Sequence, residues 1–160
     1  MTTGVGMDFR LSSASFSDNQ PIPKTYSCEG EGTSPALRWD GLPSGTKSLA
    51  LVVRDPDAPG GEFVHWLVYD IPPSVTELPS GTYDAAKFPL GGMEGQNGFG
   101  KLGYGGPCPP PGAPHHYIFT VYALDQPSLG LPAGASKPEL VAAMQGKILG
   151  QAQLTGLYGK

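Results

Sequence analysis

Few residue types in this chain can carry chemistry, and they gather in two short stretches. The three histidines are His65, His115 and His116, and Tyr117 follows the last two directly. Asp55 and Asp57 stand two apart in Arg54-Asp55-Pro56-Asp57-Ala58-Pro59. An imidazole or a phenol can donate to phosphate-like oxygens, and an aspartate can orient an imidazole or accept from a ligand amine. The successive backbone N–H groups of Gly105 and Gly106 can form an anion-binding nest. Together these groups suit a small zwitterion or a phosphoryl group. The same residues supply the proton-transfer half of a small hydrolase or isomerase, with His65 and His115 as acid and base and Asp55 or Asp57 orienting one ring. No Ser or Cys is evidently paired with a base, so that reading lacks a nucleophile. In the plainest reading they form a buried polar network that only pins a loop.

These residues need strands to bring them together. Phe63 to Ile71 (FVHWLVYDI) alternates with period two, placing Phe63, His65, Leu67, Tyr69 and Ile71 on one face. Both faces are largely apolar, which predicts a central strand buried on both sides. Leu49 to Arg54 reads alike, and Tyr117 to Leu124 is a third β-rich run. Phe9 to Ser12 and Ala36 to Trp39 are weaker candidates. A hairpin joining the first two long runs through Gly60-Gly61 would draw Asp55, Asp57 and His65 together. If the third run is their neighbour and begins at His115, then His115 and Tyr117 share the face of this cluster and His116 points away.

Between the second and third runs lies Pro89 to Pro114, dominated by glycine and proline. A loop this long in a compact domain is usually functional or disordered, and Phe99 and Tyr104 within it favour an ordered, packed loop. Near the end of the chain, Ser136-Lys137-Pro138-Glu139 has the form of a capping box with proline in the first turn. Leu140, Val141, Met144, Ile148 and Ala152 then predict the core-facing stripe of one helix, weakened by Gly146 and Gly150. The expected fold is mainly β, with antiparallel strands and one helix near the C-terminus, in a single domain over residues 1–160.

With 24 glycines and 18 prolines the chain is rich in turns, yet 39% hydrophobic content with two Trp, seven Tyr and six Phe predicts a packed interior. A net charge of −4 without a basic run gives no footprint for nucleic acid or an anionic membrane. The apolar runs are too short to span a bilayer, and Met1 to Leu11 lacks a charged segment followed by an apolar one, which predicts a cytoplasmic protein. Cys28 and Cys108 have no metal-ligand spacing and are expected to be free thiols, Cys108 in a structural role; no metal or other cofactor is expected.

At DPDAP (Asp55 to Pro59), HWLVYDIP (His65 to Pro72) and GYGGPCPPPGAPHHYIFTVYALD (Gly103 to Asp125), in that order, the chain resembles the phosphatidylethanolamine-binding protein family, in particular its bacterial and archaeal, Raf-kinase-inhibitor-like branch. Ser34-Pro35-Ala36-Leu37-Arg38-Trp39 is similar to an early segment of the same family. The resemblance implies two antiparallel sheets with few helices, and a shallow anion pocket at Asp55, Asp57, His65, Gly105, His115 and Tyr117. It also implies a cis-proline turn at Pro59 and a homodimer. The convergence of these groups without an evident nucleophile favours binding without catalysis, and a regulatory partner such as a kinase or protease could engage the same rim. Two positions depart from animal members: Phe63 stands where they place a pocket tryptophan, and Tyr158 lies in a tail unlike their gating C-terminal helix.

Overall fold

The computed structural model describes residues 9–81 and 91–159; the first residues of the expected Pro89 to Pro114 loop, and part of the expected 1–160 domain, lie outside them. The chain runs through β1 (Arg10–Ser12), β2 (Gln20–Pro21), β3 (Leu37–Asp40), β4 (Ser48–Asp55), β5 (Phe63–Ile71), β6 (Glu77–Leu78), β7 (Met93–Glu94), β8 (His115–Leu124), α1 (Lys137–Met144) and β9 (Ile148–Tyr158). Two sheets result, one of order β1-β3-β6 and one of order β2-β9-β8-β4-β5-β7. Pairing is antiparallel except for the short β2–β9 contact.

Alternation along the strands divides the core in two. Leu49, Leu51, Val53, Phe119 and Val121 face the small sheet and meet Leu11, Leu37, Trp39 and Leu78. Ala50, Val52, Leu67 and Tyr69 face the other way and are covered by Leu140 and Met144 of α1. The central strands of the large sheet, β4, β5 and β8, are therefore largely apolar on both faces, as their sequences suggest.

Two expectations about the chain's end and the strand faces are corrected. The capping box forms, with Ser136 accepting from the Glu139 backbone and Glu139 reaching back to Ser136, but the helix stops at Met144. Gly146 turns the chain with φ +76°, and Ile148 to Tyr158 form an 11-residue strand along β8. In β5, period two breaks. Val53 pairs with Trp66 and Arg54 with Val64, so the register slips and His65 is the extra residue of a β-bulge. A bulge bends its strand and re-aims a side chain. A second slip between Leu49 and Leu51 restores Ile71 to the face between the sheets.

Candidate functional site

Three adjacent strands, β8, β4 and β5, end side by side at one rim of the large sheet. Asp55 closes β4 opposite Phe63, the first residue of β5. The bulge turns His65 toward this face, where its ring lies 5.1 Å from that of Tyr117 and 5.0 Å from that of Phe63. His115 and Tyr117 enter from β8 at i and i+2. Their convergence is the one anticipated from strand parity, and they line a cavity of about 240 Å³ with Ala58, Pro59, Phe99, Cys108, Pro109 and Pro110.

The wall is made by the glycine- and proline-rich loop, which continues from β7 along the edge of β5 through backbone bonds from Gly95 to Leu67, Gly98 to Val64 and Gly105 to His65. Asn97 organises it, accepting from the N–H groups of Phe99 and Lys101 and donating to the Gly103 carbonyl. Glycine is required where rings lie against backbone. A Cβ on Gly98 would stand 2.6 Å from the Phe63 ring, and one on Gly105 would stand 2.4 Å from Phe99. The opposing turn uses positive φ at Gly60 and Gly61, at +83° and +116°.

Hydrogen bonding fixes the state of each polar group. Asp55 is fully engaged: Oδ1 accepts from the Asp57 N–H at 2.8 Å, and Oδ2 from His115 Nδ1 at 2.7 Å. With Nδ1 carrying the proton, His115 keeps Nε2 for a ligand. His65 Nδ1 donates to the Gly105 carbonyl at 2.7 Å. Burial pushes the His65 imidazole down, more strongly than the Gly105 and Gly106 backbone and Asp55 pull it up, so the neutral ring offers an acceptor at Nε2. Tyr117 is 1% exposed, and its hydroxyl has no hydrogen-bond partner among the described residues. Burial and the neighbouring Asp55 charge push its phenol above the usual range, so it remains an O–H donor.

Several expected roles change. Asp57 is not in the cavity: it lies outside with His116, whose ring and backbone N–H it accepts at 2.7 and 2.8 Å. The glycine pair forms no nest at Gly105, because that N–H is already given to His65. Gly106 packs against Tyr26 and Ser27, and a Cβ there would stand 2.7 Å from the Tyr26 carbonyl. Pro59 follows a trans peptide. Cys28 and Cys108 are joined in a disulfide across 80 residues of sequence, with Cα atoms 5.3 Å apart, which overturns the free-thiol expectation. Disulfides persist chiefly in oxidising compartments, which counts against the cytoplasmic expectation. Phe99, Pro109 and Pro110 were not singled out as lining residues; an aromatic residue inside a glycine-rich loop was the available signal.

Residues 12–159 match the family model described as Phosphatidylethanolamine-binding protein. The chain belongs to the phosphatidylethanolamine-binding protein family. It is 49% identical to a UPF0098 protein of Methanothermobacter thermautotrophicus over 92% of this chain and 97% of that one. The crystal structure of Escherichia coli YbcL, described as a new member of the mammalian PEBP family, matches with TM-score 0.90 at 36% identity over 96% of this chain and 99% of that one. The UPF0098 protein YbcL is also matched by sequence, at 43% identity over 83% of this chain and 75% of the relative. Among the described residues, no helix is long and apolar enough to cross a membrane, and no group of His, Cys, Asp and Glu stands ready to hold a metal ion. In this member of the phosphatidylethanolamine-binding protein family, Phe63 is packed edge-on against Phe99, with ring centroids 4.8 Å apart.

Proposed function

We propose that this chain is a binding protein without catalytic turnover, whose cavity takes a small phosphate-bearing or zwitterionic group, free or carried as a phosphorylated side chain by a protein partner such as a kinase or protease. The observation that carries this reading is the Tyr117 hydroxyl: a buried donor in a cavity wall, near the Asp55 carboxylate but without a well-formed hydrogen bond among the described residues. Leaving such a group unpaired costs about 1–3 kcal/mol, which a ligand oxygen would recover. His115 Nε2 lies in the same wall system, and its protonated form would add a charge-assisted bond. Among the described residues no lysine or arginine lines the cavity, so the anion is met by the Tyr117 hydroxyl and the imidazoles. Its volume is below the ~300–1,000 Å³ typical of drug-sized ligands, which favours a headgroup or a single side chain. Exposed Phe99 beside the mouth offers apolar contact to whatever carries the group.

The test is an NMR titration with inorganic phosphate, phosphoethanolamine and phosphotyrosine. Saturable shifts at His65, His115 and Tyr117 are expected, and their absence with all three probes would remove the reading. One observation favours a second reading as a hydrolase or isomerase: the carboxylate-oriented imidazole formed by Asp55 and His115. It predicts turnover of an activated ester or phosphomonoester that is abolished in His115→Ala, whereas the binding reading predicts none.

A further inference from the structure

A disulfide serving only as a staple is normally shielded, but both cysteines here are exposed. Cys108 also lines the cavity, with Pro109 and Pro110, whereas Cys28 is not among its lining residues. The bond duplicates contacts that already hold the wall. The Cys28 N–H donates to the Pro107 carbonyl at 3.0 Å, the Tyr104 hydroxyl donates to the Tyr26 carbonyl at 2.7 Å, and Gly106 packs directly on Ser27. Ser27 in turn bonds the Tyr158 hydroxyl at 2.8 Å, and Tyr158 donates to Glu29. The wall therefore has noncovalent anchors that survive cleavage of the disulfide. Exposed disulfides are the class that exchanges with thiols.

We propose that the Cys28–Cys108 disulfide is a thiol-exchange site built into the ligand cavity, with a low-molecular-mass thiol as its reactant. The thiolate attacks Cys108 Sγ, a new sulfur–sulfur bond forms there, and the bond to Cys28 breaks. Cys28 leaves as a thiolate and takes a proton from water. A second thiol can then release Cys108 as a free thiol, with the two small thiols joined as their disulfide. Attack falls on Cys108 because it opens to the cavity, whereas Cys28 is followed in sequence by exposed Glu29 and Glu31, whose charges repel an incoming thiolate. The adduct on Cys108 projects into the space that a phosphate-bearing group would fill. Thiolation and ligand binding therefore exclude one another; this second statement rests on the binding function proposed above.

The folded protein is incubated with reduced glutathione, quenched with acid and analysed by intact mass and peptide mapping. One glutathione per chain, on Cys108, is expected. Its formation should slow about tenfold when inorganic phosphate is present at about ten times its Kd, since only the unliganded fraction reacts. A Cys28→Ser variant, which keeps Cys108 as a free thiol, is thiolated with oxidised glutathione to trap the adduct, and its phosphate affinity should fall at least about tenfold. No adduct, or an adduct confined to Cys28, overturns the exchange site. An adduct on Cys108 that phosphate does not slow, in protein whose NMR shifts show phosphate bound in the cavity, overturns the mutual exclusion. If phosphate produces no shifts, the binding function fails on its own, and the mapped adduct still decides the exchange site.

Discussion

Two histidine–aspartate pairs sit on neighbouring residues of one strand, with the same geometry and opposite surroundings. His115 meets Asp55 and His116 meets Asp57, each through Nδ1 at 2.7 Å. The inner pair is 12% and 4% exposed in its side chains, the outer pair 55% and 40%. Strand alternation alone separates the histidines: His115 faces the cavity and His116 faces solvent. The difference teaches that an imidazole–carboxylate distance says little about role. The outer pair is open to water, which screens it, whereas the inner pair borders a cavity with apolar walls and a buried phenol.

The largest expected contrast comes from removing the two carboxylates. Asp55→Ala takes away the acceptor of His115 and the cap on the Asp57 N–H, both at the buried end of β4. It should destabilise the fold by about 3 kcal/mol in urea unfolding, the cost of stranding buried polar groups. Asp57→Ala should cost less than about 1 kcal/mol, as for surface ion pairs. Equal losses would mean that the inner pair is no more embedded than the outer one.

Tyr117→Phe comes next and separates binding from stability within the inner region. The hydroxyl makes no well-formed hydrogen bond among the described residues and only neighbours the Asp55 carboxylate, so the variant should be about as stable as the parent. Its affinity for inorganic phosphate should fall about tenfold, the equivalent of one hydrogen bond of about 1.4 kcal/mol to a charged group. Calorimetric titration and thermal unfolding of the same samples test both halves. Unchanged affinity would show that the phenol is merely tolerated in the core.

A smaller effect follows from His65, which shares the inner face. Burial holds its imidazole below the ordinary value of 6.5, so between the folded and unfolded values the unfolded chain binds more protons. Stability therefore rises with pH through that window, and it falls as the solution is acidified below 6.5. His65→Gln should remove this part of the acid sensitivity, seen as a flatter dependence of the urea midpoint between pH 7.5 and pH 5.

How far the site could be read from the sequence follows the same division. The three long strands were legible because β4, β5 and β8 are buried on both faces and carry dense branched and aromatic residues. The last strand was not. Ile148 to Leu154 contains Gly150, Gln151, Ala152 and Gln153, with little strand propensity, and Leu140, Met144, Ile148 and Ala152 happen to fit helical spacing across the real turn at Gly146. Strand parity correctly brought His115 and Tyr117 together because both lie inside β8. The hairpin argument did not separate Asp55 from Asp57: β4 ends at Asp55, and Asp57 lies in the turn that follows, outside the cavity. The bulge at His65 depends on register with β4, and the disulfide on the meeting of segments 80 residues apart. Neither is written in any local pattern.

The smallest expected effect is the one that most sharpens the contrast. Asp57 belongs to the site by resemblance and lies outside the cavity by geometry, in the groove of Pro110 to Pro114 with His116. Hydrogen bonds from the His116 ring and backbone hold its carboxyl below the usual 3.8. Its contribution is thus fully present above that value and is lost as pH falls through the depressed one. At 40% exposure of the side chain, salt and solvent screening reduce that contribution further. Asp57→Asn should therefore leave phosphate affinity unchanged, and it should lower stability slightly at neutral pH, by a difference that shrinks at high salt and vanishes in strong acid. If Asp57→Asn instead weakens phosphate binding as much as Tyr117→Phe, the outer pair is coupled to the cavity through the Asp57 N–H bond to Asp55, and the two pairs form one ligand-responsive unit.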